Sequence, residues 1–176
     1  MENLKSLLVV GGTGFIGRAL LRSAIRLDFQ SITSISRHLP DALNRCSGVN
    51  YLAIDVTNPA CFDAQLGRDF DAVVFAGGDV DHSPFWLGGK DVIEQHFFAL
   101  TNIVFHLNIA RLKRFIYLGS SDEYGAINAP QHEKQTTEPM TPYSFSKSAS
   151  ALFLQMLARS HGFPATILFF ISTSQG

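Results

Sequence analysis

The stretch LLVVGGTGFIGRALL, residues 7–21, limits the possible folds of this chain more than any other feature. Four apolar residues typical of a buried strand lead into glycines at positions 11, 14 and 17, and an apolar-periodic segment typical of a helix follows. In such a turn the first glycine allows the tight bend, the second lets a diphosphate approach the backbone, and the third lets helix and strand pack closely. The free N–H groups at the start of the helix then attract phosphate. The sequence therefore predicts a dinucleotide site, with contacts from Gly11, Thr13, Gly14, Phe15, Ile16 and Gly17; a purely structural turn is the alternative.

The rest of the chain alternates short apolar runs with longer amphipathic segments. The apolar runs, which we predict to be strands, are residues 7–10, 31–35, 51–54, 72–76, 115–118 and 165–170. Helical periodicity lies between them, at residues 16–27, 97–107 and 152–157. Such alternation predicts one α/β domain over residues 1–176, a Rossmann-type doubly wound parallel sheet. The long polar stretch 125–141 predicts a lid-like loop.

Composition excludes several classes of partner. The 176 residues carry a net charge of −1, so no strong field attracts nucleic acid or anionic lipid. No apolar run reaches the length of about 18 residues that a membrane span needs. Two cysteines are no disulfide framework and fit a reducing cytoplasm. The six histidines are scattered without metal-site spacing, so we predict no metal.

Residues after the second, third and fourth predicted strands extend the cofactor prediction. Ser36 and Arg37 follow the second strand, where an acidic residue would favour NAD through the ribose hydroxyl. Arg37 can instead pair with a 2′-phosphate, so the sequence favours NADP over NAD, with a solvated arginine as the alternative. Asp55 can accept from the adenine amino group or cap a turn. Val56, Ala76 and Gly77 complete the predicted cofactor contacts.

A tyrosine and a lysine four residues apart mark a second site. Tyr143 and Lys147 share one face of a helix, and a cation there lowers the pKa of the phenol and suits it to acid–base catalysis. Ser120 and Ser121 follow the strand at 115–118, where a serine can hydrogen-bond a substrate oxygen. A serine-rich turn with an acidic cap is the alternative for that segment.

Three motifs together, GGTGFIG, YLGSSDEYG and TPYSFSK, resemble the extended short-chain dehydrogenase/reductase family, in particular its nucleotide-sugar epimerase, dehydratase and reductase branch. The resemblance runs from about residue 6 to about residue 171. It implies that Tyr143 is the catalytic acid/base and that Lys147 tunes it and holds the nicotinamide ribose. Ser121 would be the third catalytic residue, with Ser120 as the alternative. The implied substrate is a nucleotide sugar, and the implied reaction begins with hydride transfer between a sugar carbon and the nicotinamide.

The same resemblance leaves several alternatives open. Asp122 and Glu123 fit the pair that transfers protons in 4,6-dehydratases of this family, or they cap a turn. Relatives dimerise through two apolar helices per subunit, so we expect a homodimer.

The chain also departs from the family pattern. Gly77-Gly78 stands where relatives carry a His-x-Ala-Ala end, and His96 replaces an asparagine that supports the active site. Relatives continue into a substrate domain that this sequence largely lacks. A non-catalytic dinucleotide-binding module or sensor is therefore the rival hypothesis, and a protein–protein adaptor is a third.

Overall fold

A parallel sheet of six strands forms the centre of the computed structural model, which describes residues 4–62, 65–126 and 131–170. The strands are β1 Ser6–Val10, β2 Ser31–Ser36, β3 Val49–Ala53, β4 Ala72–Phe75, β5 Arg114–Ser120 and β6 Ala165–Phe170. The helices are α1 Phe15–Arg26, α2 Gly89–Ile93, α3 Ala99–His106 and α4 Pro142–His161, and a π-helical turn, Glu94–Phe98, joins α2 to α3. Short 3-10 turns lie at Ala42–Asn44, Pro59–Cys61, Phe85–Leu87 and Ser121–Tyr124.

The order of the strands is β3-β2-β1-β4-β5-β6, and each neighbouring pair is parallel. The chain builds outward from β1 to β3, crosses back to β4 beside β1, and builds outward again to β6. Such a reversal leaves a crevice at the carboxyl ends of the two central strands. The predicted fold class, a Rossmann-type doubly wound parallel sheet, is confirmed.

Apolar side chains of the central strands pack on both faces of the sheet. Val10 belongs to a core cluster that includes Ile103 of α3 and Leu154 of α4. Its neighbour Val9 points to the opposite face and joins a cluster that includes Leu21 of α1. Because successive residues of a strand face opposite sides, a strand buried on both faces is apolar throughout. That requirement explains the unbroken apolar runs of the sequence.

The strand predictions agree with the structure, apart from their ends. The run predicted at 51–54 forms Val49–Ala53, and the run at 115–118 extends to Arg114–Ser120. Both extensions are made by main-chain pairing with neighbouring strands, which polar residues support as well as apolar ones. Hydrophobicity alone therefore underestimates the length of β5, whose last residue carries a candidate catalytic hydroxyl.

Helix α4 begins at a position fixed by its cap. The Thr141 hydroxyl accepts the N–H of Ser144 at 3.1 Å, and the Ser144 hydroxyl accepts the N–H of Thr141 at 2.9 Å. Pro142 occupies the first turn, where its missing N–H is no loss. This capping box places Tyr143 and Lys147 in the first two turns of the helix.

The described part of the predicted loop 125–141 contains no helix or strand and is hydrogen-bonded to the turn after β5 and to α4. The N–H of Glu138 donates to the Glu123 carbonyl at 2.9 Å, and the Ser148 hydroxyl of α4 donates to Thr137 at 2.9 Å. Gly125 has φ +66°, and a Cβ there would overlap the Glu138 carbonyl. Residues 127–130 of this loop lie outside the described residues, and its role as a lid stays a prediction.

Several large apolar side chains of α3 and α4 remain exposed. They are Phe105 of α3 and Phe145, Leu152 and Met156 of α4. Phe97, in the π-helical turn that leads into α3, contacts α4: the centre of its ring lies 6.0 Å from that of Phe153. Within the described ranges, no helix combines the length and the apolar character required to cross a membrane.

Candidate functional site

An open cleft lies at the carboxyl ends of β1 to β4, where the winding of the sheet reverses. Nine of the predicted cofactor contacts line it: Gly11, Thr13, Gly14, Ser36, Arg37, Asp55, Val56, Ala76 and Gly77. The other predicted contacts, Phe15, Ile16, Gly17 and Lys147, do not line the cleft. Phe15 is largely exposed on the first turn of α1.

The glycines of the first turn provide space rather than contacts. Gly11 has φ +83°, and a Cβ there would lie 2.7 Å from the Cα of Gly77. A Cβ on Gly17 would overlap the carbonyl oxygen of Gly11, so this glycine lets α1 pack against β1. Gly14 precedes α1 with no side-chain cap, and the first turn carries no acidic residue. The first N–H groups of α1 thus have no capping side chain and can bind an anion.

Polar side chains at the ends of β2 and β3 are already engaged with the protein. The Ser36 hydroxyl donates to the Ile35 carbonyl at 2.8 Å and accepts the N–H of Thr13 at 3.4 Å, which ties β2 to the glycine turn. Asp55 accepts the N–H and the hydroxyl of Thr57 at 3.0 and 2.8 Å. Of the two alternatives for Asp55, the structure shows the turn cap, at the wall of the cleft.

The predicted 2′-phosphate ligand, Arg37, is engaged in an ion pair. Its Nη2 lies 2.8 Å from Oδ2 of Asp79, a residue of the loop after β4 that also lines the cleft. Nothing in the local sequence of either residue signals this contact, since the two are 42 positions apart.

The candidate catalytic side chains meet beside the cleft, where β5 ends and α4 begins. Tyr143 is buried, and burial raises the pKa of its phenol, an effect that the Ser120 side chain partly offsets. Ser121 instead lines a separate cavity with Tyr124 and Phe169. The structure therefore brings the alternative, Ser120, to the phenol, and not the first choice, Ser121. The cause is the turn of the chain at Ser120, which caps the 3-10 turn at Ser121–Tyr124.

Lys147 lies beneath Tyr143 rather than at the wall of the cleft. Its Nζ donates to the Leu118 carbonyl at 2.9 Å and lies 5.2 Å from the ring centre of Tyr117 and 5.7 Å from that of Tyr143. Burial lowers the pKa of Lys147 to about 8. The expectation that a neighbouring cation lowers the pKa of the phenol is wrong for this geometry, because desolvation of Tyr143 outweighs other influences and raises it.

The two carboxylates after Ser121 point in different directions. Glu123 is fully buried, and its Oε1 accepts the N–H of Ser120 at 2.9 Å. Burial raises the pKa of Glu123 to about 7. Asp122 is partly exposed, with Oδ2 at 3.6 Å from Nε2 of His82, whose ring centre lies 5.3 Å from that of Tyr143. Glu123 thus acts as a cap, while Asp122 and His82 lie at the open side of the tyrosine.

The two departures from the family pattern touch each other. His96 is buried, its ring lies 5.1 Å from the Tyr143 ring, and a Cβ on Gly78 would overlap it. Nε2 of His96 lies 2.9 Å from the Asp79 carbonyl, and because a carbonyl only accepts, this nitrogen carries the proton. Burial lowers the pKa of His96 to about 4, so the ring is neutral at neutral pH.

Sequence reasoning missed the roles of Asp79 and His82, which fall in no motif. Their only signal is position, since both follow a strand that ends at the crevice. Among the residues that the structure describes, no three histidine, cysteine or acidic side chains are placed to hold a metal ion.

Comparison with known proteins gives concordant results. The model of the NAD dependent epimerase/dehydratase family matches residues 7–172. The dTDP-glucose 4,6-dehydratase of Neisseria meningitidis serogroup B (strain ATCC BAA-335 / MC58) is 25% identical over 197 residues, covering 93% of this chain and 52% of the relative. The chain spans about half the length of the curated relatives it matches.

Solved structures share the fold. UDP-glucuronic acid 4-epimerase from Bacillus cereus, in complex with UDP-glucuronic acid and NAD, superposes with a TM-score of 0.79 at 20% identity, covering 93% of this chain and 55% of the other. A dTDP-glucose 4,6-dehydratase from Streptomyces venezuelae with NAD bound gives 0.80 at 20% identity, with 93% and 54% covered.

Proposed function

The chain belongs to the NAD dependent epimerase/dehydratase family, and from that premise we propose that it binds a nicotinamide dinucleotide and oxidises or reduces a carbon of a nucleotide sugar. The observation that carries the proposal is the short link between Tyr143 and the cleft that the glycine turn opens: the Tyr143 ring lies 5.1 Å from that of His96, which donates to the carbonyl of the cleft-lining Asp79. Neither the cleft nor the tyrosine alone would support an enzymatic function, since a phosphate cleft by itself indicates only binding and a buried tyrosine by itself indicates only packing.

The residues of the cleft fit a dinucleotide. Gly11 and Gly77 leave the wall as bare backbone, and the start of α1 offers N–H groups without a competing cap. We propose that Gly11, Thr13 and Gly14 hold the diphosphate and that Asp55 and Val56 border the adenosine. When bound, the dinucleotide supplies a nicotinamide carbon that accepts or returns a hydride.

Tyr143 is proposed to move the proton of the sugar hydroxyl. With the pKa of the phenol raised by burial, Tyr143 holds its proton at neutral pH and can donate it to a carbonyl oxygen. The Ser120 hydroxyl, whose side chain acts to lower the pKa of the phenol, is proposed to donate a hydrogen bond to the phenolate that remains. Lys147, held by the Leu118 carbonyl, places a buried positive charge below the ring as the phenolate forms.

The NADP preference predicted from Arg37 has no specific support, because that guanidinium is paired with Asp79. The two relatives described above with a bound dinucleotide contain NAD. We therefore propose NAD as the cofactor.

A dehydratase is the second candidate, favoured by the curated relative at 25% identity. Of the two acidic residues, only Asp122 lies toward the open side of Tyr143, beside His82. In that case Asp122 would transfer the proton, because Glu123 is occupied as the cap of Ser120.

A homodimer through α3 and α4 remains a proposal, supported by the exposed Phe105, Leu152 and Met156. Light scattering after size exclusion tests it, and a monomer at all concentrations would exclude it.

The deciding experiment has two stages. Calorimetric titration with NAD tests the cleft, and nicotinamide absorbance with a panel of nucleotide sugars tests catalysis. Binding followed by sugar-dependent absorbance changes supports the enzyme. Binding without any such change favours the non-catalytic module, and no binding to either NAD or NADP favours an adaptor that keeps only the fold.

A further inference from the structure

The loop after β4 carries a carboxylate that faces the cofactor cleft. We propose that Asp79 is a specificity-determining residue that selects NAD against NADP by occupying Arg37. The inference rests on the proposed dinucleotide binding and adds the residue that sets the choice of dinucleotide.

The ion pair spans the cleft from one side to the other. Arg37 follows β2 and Asp79 follows β4, and these strands flank β1 on opposite sides. Nη2 of Arg37 lies 2.8 Å from Oδ2 of Asp79, and both residues line the cleft above the glycine turn. Because Arg37 directly follows β2, its guanidinium lies on the side where the end of β2 meets the adenosine ribose in this fold, and Asp79 reaches it from the end of β4.

The main chain at Asp79 is fixed from below. Its carbonyl accepts the Nε2 proton of His96 at 2.9 Å, and His96 is 2% exposed. Gly78, with φ +103°, allows the ring to lie against the backbone, because any Cβ there would overlap it. The His96 and Gly78 departures thus have one shared consequence, which is a fixed main-chain position for Asp79 opposite Arg37.

The charged groups that line the cleft explain why the Arg37–Asp79 pair would disfavour a 2′-phosphate. The titratable groups among the described residues that line it are Arg37, His38, Asp55 and Asp79. Asp55 is turned toward Thr57, so Asp79 is the carboxylate that engages Arg37. A phosphate monoester carries a charge of about −2 near neutral pH. Such a 2′-phosphate must displace Asp79 from Arg37 and then lie beside the freed carboxylate, whereas the neutral 2′-hydroxyl of NAD does neither.

The substitution Asp79→Asn isolates this effect. Both partners are more than half exposed, and exposed pairs contribute little to folding, so the variant is expected to fold. Asparagine keeps the shape and removes the charge. We expect the variant to bind NADP about tenfold more tightly, because the Arg37 guanidinium is free to pair with the 2′-phosphate and the repulsion from the Asp79 carboxylate is gone. The affinity for NAD should change much less.

Matched variants complete the test. Asp81→Asn removes the same charge two residues away, at a residue that accepts the N–H of Ser83 and does not line the cleft, and it controls for net charge. Arg37→Gln in the Asp79→Asn background is expected to abolish the gain in NADP affinity. Calorimetric titrations of each protein with NAD and NADP, at two salt concentrations, provide the readout, and circular dichroism confirms folding.

The outcomes separate this inference from the proposed function. A gain for NADP that exceeds any gain for NAD, absent in Asp81→Asn, supports the role of Asp79. Equal gains for both dinucleotides would show an obstruction rather than a selection and overturn it, as would unchanged affinities. Binding of neither dinucleotide to any of the proteins would overturn the proposed function itself.

Discussion

At the carboxyl ends of β1 and β4 the wall of the cleft is mostly backbone, whereas at the end of β5 and the start of α4 the site consists of buried side chains. The first region works because Gly11 and Gly17 have no side chain to fill the space. The second works through Tyr143, Lys147 and Glu123, whose pKa values all shift on burial. Substitutions therefore affect the two regions in opposite ways: adding an atom damages the first, and removing one damages the second.

The largest expected effect comes from removing one oxygen on the side-chain half. Tyr143→Phe keeps the ring packed against His82 and His96 but deletes the hydroxyl that we propose to carry the proton. We expect turnover of a nucleotide sugar to fall about a thousandfold, within the range for lost acid–base catalysis, while NAD affinity changes little. Nicotinamide absorbance and calorimetry measure the two quantities.

A matched tyrosine controls for the loss of a hydroxyl. Tyr51→Phe removes a phenolic oxygen that accepts the N–H of Cys46, on β3 and outside the catalytic group. Its turnover should match that of the unmodified chain. Equal turnover by Tyr143→Phe and Tyr51→Phe would remove the acid–base role from Tyr143.

The backbone half is tested by adding one methyl group. In Gly17→Ala the new Cβ overlaps the Gly11 carbonyl and lies 2.6 Å from the Cα of Gly12, both backbone atoms that cannot move aside cheaply. The higher helix propensity of alanine would by itself stabilise α1 by about 1 kcal/mol. The overlap therefore decides whether the substitution raises or lowers the free energy of unfolding. We expect a loss of about 3 kcal/mol in the free energy of unfolding, measured in urea.

Gly67→Ala is the control for this test. Nothing lies within 4 Å of the Cβ that this substitution adds. Its free energy of unfolding should stay within about 0.5 kcal/mol of the original. If Gly17→Ala were as stable as Gly67→Ala, close packing of α1 on β1 would not explain the third glycine of the motif.

Sequence reasoning succeeds where structure depends on local pattern. The six strands, the glycine turn and the tyrosine–lysine spacing are visible as runs of residue types, because burial of a parallel strand and the bend into α1 each dictate neighbouring positions. These features led to the confirmed fold and to nine cleft-lining residues.

The same reasoning fails where the chemistry depends on contacts between distant segments. Arg37 has the same sequence context whether it is free or paired with Asp79, and only the fold decides. Likewise, Ser120 and Ser121 are equivalent in the sequence until the chain turns and directs one toward Tyr143. The raised pKa of that phenol depends on its burial, which no spacing encodes.

Burial shifts the pKa values of Glu123 and His96 in opposite directions, and the pH dependence of folding stability tests both shifts. Glu123, raised from 4.5 to about 7, makes the folded state bind more protons than the unfolded state in that window, so stability falls as pH rises through it. His96, lowered from 6.5 to about 4, makes the unfolded state bind more protons, so stability rises with pH from about 4 to 6.5. Between about 4.5 and 6.5 the two contributions oppose each other.

Replacing one of these two groups at a time should reveal the contribution of the other to stability. In Glu123→Gln we expect stability to rise by about 2–3 kcal/mol between pH 4 and pH 6.5, and in His96→Asn we expect it to fall by a similar amount from pH 4.5 to pH 7. Urea unfolding across this range gives both slopes. Parallel slopes in the two variants would mean that neither group is titrating as its burial requires.

The smallest expected effect concerns Gly78 and His96, where the two halves of the site meet. Gly78→Ala introduces a Cβ into the His96 ring at φ +103°, so its cost combines overlap with backbone strain. In a His96→Ala background the overlap disappears and only the strain remains. A double-mutant cycle in urea should therefore show a coupling of about 1–2 kcal/mol.

Additive losses would mean that the ring moves aside freely, and His96 would then not fix the main chain at Asp79. Strong coupling would instead mean that the cleft built from backbone takes its shape from His96, a buried side chain packed against Tyr143. The two regions would then be separate in the sequence but energetically coupled.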